Sequence, residues 1–289
     1  MAEQVKKSSP WINRIVAQAQ HLPPFPDVVH KLMPLLRDLA PVKQIEEVIK
    51  YEPVIAARVL SISRSPYYAR LRKVESLRDA IVVLGQKQLI QVVMTACAAQ
   101  YYRGSMEGYD LREGELWEHA VGVAIMVEIL GERLGRQNVL TLYTAALLHD
   151  IGKTVLNYYV KEEFEQIITE VRKNKKRFLD AEREVLGIDH QQLGGLIAKK
   201  WNFPDAVIAG IRFHHEPKKA ADKYRDITSI IYVANRMVSS VGIGCGIDGF
   251  LNPNRDEVFN ELGITSRMVE ELLAKFGDAF REVKEFILN

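Results

Sequence analysis

The sequence has few cysteines, no excess of either charge and no long apolar run. Its two cysteines, Cys97 and Cys245, stand far apart among 289 residues, which argues against a disulfide framework or a cysteine-rich zinc site. Lysine and arginine number 39 against 37 aspartates and glutamates, a formal net charge of +2. This near balance of basic and acidic residues argues against a general nucleic-acid or membrane-surface binder. It still allows local basic clusters.

No signal peptide and no apolar run of transmembrane length is evident, so the sequence predicts a cytoplasmic location, reduced thiols and no membrane partner. No segment alternates as a convincing strand, and no repeat of fixed period is found. Hydrophobic residues make up 47% of the chain, enough for a substantial core, and the length suggests about two compact units.

Apolar residues recur at helical spacing along most of the chain, which predicts an all-α protein. We expect an N-terminal helical bundle over residues 15–105, packed on a second helical domain over 112–245. The charged, glycine-containing stretch 103–114 is the predicted boundary. Helices over 250–289 are expected to pack back onto the core. In and after the second domain, helices are predicted at 115–134, 138–148, 154–174, 178–186, 190–200, 204–214, 225–240 and 255–262, with a last pair across 265–289.

Three stretches resemble functional motifs but are better explained by ordinary structure. Residues 244–249, GCGIDG, match a dinucleotide fingerprint in letters, but a helical segment precedes them instead of a strand, which favours a plain loop. The basic run 172–177 is typical of a solvated helix end. In the loop 64–73 arginines alternate with Tyr67 and Tyr68, but tyrosines pack equally well on helices. Nucleic acid is therefore not an expected partner.

The stretch YTAALLHDIGK, residues 143–153, places His149 and Asp150 at the end of an apolar, predicted buried helix. Burying an imidazole and a carboxylate together is costly unless they are hydrogen-bonded, paired or bound to a metal. Taken alone, the pair is explained equally well by a helix end that faces water.

Five of the seven histidines fall between positions 119 and 215. Glu115 and His119 lie four residues apart and share a helix face. His190 opens one apolar helix, and His214 and His215 end another. One such histidine is readily explained as a core residue, but several at helix ends with nearby carboxylates predict a metal site. Imidazole and carboxylate ligands suit iron, manganese, zinc or nickel.

The order H…HD…D on helices resembles the HD superfamily of metal-dependent phosphohydrolases. The similarity is closer to the HDOD proteins, bacterial signalling relatives of that superfamily, and covers about residues 20–240. It rests on the blocks LPPFPDVVHKL, EPVIAARVLSISRSPYY, VESLRDAIVVLGQKQL, LWEHAVGVA, AALLHDIGK, AEREVLGIDHQQLGGLIAKKWNFP and IRFHHEP. This resemblance implies that the second domain is an HD-type helical domain.

The related HD-GYP phosphodiesterases hold metal with residues in the order Glu-x-x-x-His, His-Asp, Lys, His, His-His, Asp. That pattern implies a role in phosphate neutralisation for Lys153, and in an active enzyme Asp150 and Lys153 would be the catalytic residues. The implied metal ligands are Glu115, His119, His149, Asp150, His190, His214 and His215, with Asn235 at the place of the final aspartate.

Two departures from that pattern bear on activity. Asn235 offers an amide oxygen without negative charge, and the segment HHEPKKAADKY lacks the Gly-Tyr-Pro element. We therefore expect a bacterial regulatory protein with a divalent metal, iron first and manganese, nickel or zinc as alternatives, that does not turn over substrate efficiently. Its expected partners are signalling proteins or a small phosphorylated or nucleotide ligand. The alternatives are a metal-dependent phosphohydrolase or phosphodiesterase and an oxygen- or redox-responsive di-iron protein.

Overall fold

The computed structural model describes residues 11–64, 74–136, 139–246 and 256–287. Within these ranges no strand forms, apart from one isolated bridge between Met106 and Leu111, so the prediction of an all-α protein is confirmed. The helices are α1 (Ile12–His21), α2 (Asp27–Arg37), α3 (Val42–Ile49), α4 (Pro53–Ser63), α5 (Leu77–Ala98), α6 (Glu115–Arg133), α7 (Val139–Leu148), α8 (Ile151–Glu162), α9 (Phe164–Arg172), α10 (Phe178–Leu186), α11 (His190–Lys200), α12 (Asp205–Arg212), α13 (Asp222–Ser240), α14 (Asp256–Glu261) and α15 (Ser266–Ile287).

Two of the stretches singled out in the sequence fall largely outside the described residues. The arginine- and tyrosine-containing loop is described only at Arg64, and the glycine motif only as far as Gly246. The basic run lies within the described part. There Lys176 pairs with Glu170 and Glu184, so part of its charge is neutralised by carboxylates.

The described helices group into two compact units. The larger unit comprises Met1–Pro23 and Tyr101–Gly277. The smaller unit comprises Pro24–Gln100 and Asp278–Asn289. Helix α1 thus belongs with the larger unit. There the ammonium of Lys200 donates hydrogen bonds to the carbonyls of Gln20 and Leu22.

Helix α5 is the longest apolar element of the smaller unit. Contrary to the sequence-based expectation, the stretch Leu77–Tyr101 is long and apolar enough to cross a membrane by length and composition. However, 61% of the most apolar 18 residues of this stretch is buried inside the protein, as in the core helix of a soluble protein. Gly85 also interrupts the helix with φ 71° and ψ 172°, a conformation that glycine adopts readily.

Helix α7 is the central element of the larger unit. Ala145, Ala146, Leu147 and Leu148 are all fully buried, because the helix packs against α6, α12 and α13. Helix α11 contacts both α8 and α12. A helix that is apolar on all sides lies inside the protein. The C-terminal end of α7 therefore places the residues that follow this helix in the interior.

Two helix predictions differ from the structure. The helix expected over 154–174 is two helices, α8 and α9, which meet at Glu163. The buried positions Val160, Ile167 and Val171 keep helical spacing across that break, so periodicity alone gives no sign of it. The pair expected over 265–289 is the single helix α15.

A backbone contact holds α8 against α11. A Cβ atom at Gly152 would lie 1.9 Å from the carbonyl oxygen of His190 and 2.9 Å from the nitrogen of Gly194. Only a residue without a side chain fits this crossing, which places the start of α8 directly beside the start of α11.

We expect Gly152→Ala to lower the free energy of unfolding by about 1–3 kcal/mol or more, because the added methyl group collides with rigid backbone. Gly277→Ala is the matched control, since a Cβ at this position of α15 meets nothing within 4 Å, and it should raise stability by about 0.5–1 kcal/mol. Denaturant unfolding of both variants measures the difference. Equal stability of the two variants would contradict the close crossing.

Candidate metal centre

Two of the histidines cap the helices that deliver them. His149 follows α7, and its Nδ1 lies 2.6 Å from the carbonyl oxygen of Ala146. His214 follows α12 in the same way, with Nδ1 2.7 Å from the oxygen of Ile211. Carbonyls in the last turn of a helix lack an intrahelical donor. Because a carbonyl only accepts, each imidazole carries its proton on Nδ1, and its Nε2 keeps a lone pair.

Two further histidines are oriented by the same principle. The Nδ1 of His119, in α6, lies 2.8 Å from the carbonyl oxygen of Ile243. The Nδ1 of His190, at the start of α11, lies 2.7 Å from Oε2 of Glu182. A hydrogen bond from one ring nitrogen to an oxygen fixes the tautomer in which the other nitrogen can bind a metal.

The carboxylate of Asp150 lies at the centre of these rings and is fully buried. It occupies the position before α8 but makes no side-chain cap there. Lys153, one turn later, donates from Nζ to Oδ2 at 2.8 Å. Four imidazole Nε2 atoms surround the two oxygens, at 3.3 Å for His149, 3.6 Å for His214, 3.7 Å for His190 and 3.9 Å for His119.

Several of these buried atoms have no hydrogen-bond partner among the described residues. They include Nε2 of His149, Nε2 of His214 and Oδ1 of Asp150. Leaving such atoms unpaired in the interior costs on the order of 1–3 kcal/mol each. A cation beside Asp150 satisfies atoms of this kind, and this donor set suits a divalent transition metal. The residues present therefore fit a divalent ion.

The potential ligand atoms form two overlapping groups that share Asp150. One group combines Asp150 with His119 and His149, and the other combines it with His190, His214 and His215. His215 is the only partly exposed member of these two groups. Its Nε2 lies 3.0 Å from Nε2 of His190.

The electrostatic environment keeps four of these groups in the protonation states that metal binding requires. Burial, reinforced by the neighbouring His149, lowers the pKa of His119 to about 4. Burial likewise lowers the pKa of His214 and of His215 well below the usual range. At Asp150, burial works to raise the pKa, but His149 and Lys153 outweigh it and hold the pKa well below its usual range. Neutral imidazoles and an ionised carboxylate are the metal-binding forms.

Glu182, which the sequence analysis did not predict, orients His190. Its fully buried carboxylate accepts hydrogen bonds from the hydroxyl of Tyr109 at 2.5 Å and from the backbone N–H and Nδ1 of His190. Burial works to lower the pKa of His190, but the charge and hydrogen bond of Glu182 outweigh it and raise that pKa. Nothing in the spacing of Glu182, eight residues before His190 on another helix, indicates this contact.

Glu216 and Gln191 hold the chain around His215. The carboxylate of Glu216 accepts hydrogen bonds from Arg177, Arg183 and Gln191. Burial works to raise its pKa, but these arginines and a lysine lower it to about 2. Gln191 also accepts the backbone N–H of His215 at 3.1 Å. The sequence analysis missed both residues, although Asp189 and Gln192 beside them form a capping box of a kind that is recognisable from sequence.

The remaining residues of the predicted set occupy different places. Asn235, in α13, is buried, with Oδ1 3.1 Å from Nε2 of His119. Glu115 lies outside both ligand groups. Its carboxylate accepts the backbone N–H of Arg112 at 2.7 Å, because a side chain at the first position of α6 points back towards the helix N-terminus.

The chain matches the HDOD domain family over residues 22–217. That match covers more than half of the sequence, so the chain belongs to the HDOD family, as its sequence blocks indicate. An uncharacterised protein of Treponema pallidum is 22% identical over 228 residues, which are 76% of this chain and 43% of that protein. The chain thus spans less than half the length of this relative.

Solved structures share the fold. An HDOD protein of unknown function from Geobacter sulfurreducens has a TM-score of 0.71 at 24% identity, with 96% of this chain and 98% of that chain covered. A Shewanella amazonensis protein provisionally named a phosphohydrolase has a TM-score of 0.69 at 24% identity, covering 94% and 97%. A Marinobacter aquaeolei protein provisionally named a signal transduction protein has a TM-score of 0.70 at 24% identity, covering 94% and 59%. Likeness at these identities shows the fold alone.

Glu182→Gln is expected to weaken binding of added Mn²⁺ by about 10- to 100-fold, because it removes the anionic acceptor that orients His190. Glu184→Gln is the matched control, since Glu184 is exposed on the same helix and pairs with Lys176 at the surface. A competition titration with a chelator measures the affinity. A drop of the same size in both variants would contradict the role of Glu182.

The stability of the metal-free protein should fall as the pH drops from about 6.5 to 4. The lowered pKa values of His119, His214 and His215 lie below the ordinary value of about 6.5, so the unfolded chain takes up protons first. Each group then costs about 1.4 kcal/mol per pH unit until its folded-state pKa is reached.

The raised pKa of His190 acts in the opposite direction. Its stabilising contribution is complete below the unfolded value and is lost as the pH rises through the folded value. Below about pH 6.5 this contribution is therefore constant, and the other three histidines set the pH dependence. Urea unfolding across this pH range measures the net effect. A flat profile would show that the three imidazoles are not held neutral.

Proposed function

We propose that this HDOD chain is a bacterial, cytoplasmic regulatory protein that holds a divalent metal ion and does not catalyse efficient turnover. Its partners would be signalling proteins or a small phosphorylated or nucleotide ligand. One observation carries the metal part of the proposal. Three fully buried potential ligand atoms, on His149, Asp150 and His214, have no hydrogen-bond partner among the described residues. Family membership and the bacterial sources of the similar proteins support the signalling part.

Iron is the first metal that we propose for this centre. The donors are imidazole nitrogens around one carboxylate, a combination that suits iron, manganese, nickel or zinc better than magnesium or calcium. Neither ligand group contains a cysteine. Buried Cys97, whose thiol pKa is raised by burial to about 12, is in the smaller unit. Helical folds with inward-facing histidines and carboxylates are a common setting for iron.

Weak hydrolysis is proposed because of Asn235. In a phosphohydrolase the ion supplies positive charge for the phosphate and makes a water molecule acidic. An aspartate at position 235 would add a negative charge beside His119, whereas the amide of Asn235 adds none. The turn after His215, Pro217–Lys219, also lacks the Gly-Tyr-Pro element.

A metal-dependent phosphohydrolase is the second candidate, and Lys153 is the observation that favours it. Its ammonium is buried beside Asp150, where it could neutralise a phosphate group. In such an enzyme Asp150 and Lys153 would act in catalysis. Against this reading, the hydrogen bond to Asp150 and the position of Nζ 5.4 Å from the ring centre of Tyr109 hold the ammonium within the protein.

Protein purified without added metal should contain a divalent ion, and the double variant His149→Ala, Asp150→Ala should lose it. The wild type should hydrolyse cyclic dinucleotides, nucleotides and a chromogenic phosphoester no faster than Asp150→Ala, with iron, manganese or nickel supplied. Elemental analysis and product quantification measure the two outcomes. A folded wild type without metal contradicts the metal centre, and fast metal-dependent turnover that Asp150→Ala abolishes establishes the phosphohydrolase.

Asn235→Asp identifies the cause of low activity. If the missing negative charge limits turnover, this variant should hydrolyse one of the phosphoesters faster than the wild type by about 10-fold or more, the size of effect seen for groups that tune a bound metal. No gain in activity would assign the loss to other residues of the centre.

A further inference from the structure

The two oxygens of Asp150 face different surroundings. Oδ1 faces Nε2 of His190 and Nε2 of His214, and has no hydrogen-bond partner among the described residues. Oδ2 faces His119 and His149, and accepts the hydrogen bond from Lys153. We call these the Oδ1 side and the Oδ2 side. Two ions that share Asp150 would need both sides to be open.

A protein cation already occupies the Oδ2 side. The ammonium of Lys153 is buried, lies 2.8 Å from Oδ2 and is held there as the i+3 neighbour of Asp150. A second positive charge beside it would be repelled strongly, because like charges interact more strongly in the interior than in water. Lys153 therefore neutralises the oxygen that an ion on this side would need.

Asn235 blocks a second ligand on the same side. His119 carries its proton on Nδ1, towards the carbonyl of Ile243, so its Nε2 can only accept. The amide of Asn235 lies 3.1 Å from that Nε2 and 3.3 Å from the hydroxyl of Ser239. In the structure Oδ1 of the amide faces Nε2 and accepts from the Ser239 hydroxyl. Because two acceptors that face each other are unfavourable, turning the amide about its Cβ–Cγ bond places the NH₂ group there, from which it donates to Nε2. An aspartate, with two acceptor oxygens, could not use up the lone pair of His119 in this way.

The Oδ1 side contains neither an ammonium nor an amide. His190 carries its proton on Nδ1, towards Glu182, so its Nε2 has a lone pair, which Nε2 of His215 contacts at 3.0 Å. His215 can move its own proton to Nδ1, and both Nε2 atoms then accept an ion. Nε2 of His214 and Oδ1 of Asp150 are unpaired. On the Oδ2 side only His149 keeps an unpaired Nε2, and one imidazole beside an ammonium is a poor cation site.

We propose that the centre holds one divalent ion, bound on the Oδ1 side by Asp150, His190, His214 and His215, and that Lys153 and Asn235 close the Oδ2 side to a second ion. This inference rests on the proposed metal binding. The centre around Asp150 would thus hold a single ion, although the two ligand groups that share Asp150 have the arrangement of a two-ion site.

The full-length protein is stripped with a chelator, loaded with excess Mn²⁺, desalted and examined by native mass spectrometry and by electron paramagnetic resonance. The wild type should carry one ion per chain and give the spectrum of isolated Mn²⁺. His214→Ala should weaken binding by about 100-fold or more, whereas His119→Ala, on the other side, should change it less than about threefold. Thermal unfolding of each metal-free variant confirms that it is folded, and His119→Gln and His214→Gln replace any that is not.

Asn235→Asp should admit a second ion and produce the spectrum of two coupled ions. The double variant Asn235→Asp, Lys153→Gln should bind the second ion more tightly still, by about 10-fold or more, since both obstacles are then removed. Two ions in the wild type, or equal losses in His119→Ala and His214→Ala, overturn the single-ion centre but leave metal binding intact. A folded wild type that binds no Mn²⁺, iron or zinc overturns both the inference and the proposed metal binding.

Discussion

Burial of one carboxylate, that of Asp150, is the constraint on which the centre depends. An ionised carboxylate without access to water is strongly unfavourable unless charges and hydrogen bonds compensate it. Here much of the compensation comes from the ammonium of Lys153, which donates to Oδ2. The part of the chain that the structure describes supplies only some of it, because Oδ1 has no donor there. The unpaired oxygen is the reason why the centre fits a cation.

Two of the histidine rings are oriented by the same kind of hydrogen bond at a helix end. At each of two helix ends, a histidine donates from Nδ1 to a carbonyl of its own last turn. The bond that caps the helix therefore also aims Nε2 of His149 and His214 at Asp150. His190 is oriented differently, by the buried carboxylate of Glu182, and that bond ties the centre to α10. Local helix chemistry and long-range contacts thus act on the same few atoms.

In the proposed function, the two sides of Asp150 account for an HD-type arrangement without efficient chemistry. Nε2 of His214 stays open on the Oδ1 side, whereas Lys153 and Asn235 occupy groups on the Oδ2 side. One amide in place of a carboxylate removes a charge and adds a hydrogen-bond donor. Both changes favour a closed, static structure on that side. A centre of this kind is suited to holding an ion for structure or sensing.

The sequence by itself determined the helices and the identity of most groups at the centre. Apolar periodicity predicts nearly all helices of the larger unit, and the blocks around His149 and Asp150 identify the family. These signals are local, since they depend on residues within one or two turns of each other. The replacement of a negatively charged aspartate by the neutral Asn235 can likewise be read directly from the sequence.

Only the tertiary structure decided which side chains meet. Glu182 and Gln191 reach the centre through the packing of separate helices, and no spacing rule connects them to the histidine that each contacts. Glu115 shows the converse. Its spacing from His119 predicts a shared face, but its position at the start of α6 turns its carboxylate to the backbone of Arg112. The physical reason is that helix periodicity gives the face of a side chain, whereas its partner depends on how neighbouring helices cross and where each one ends.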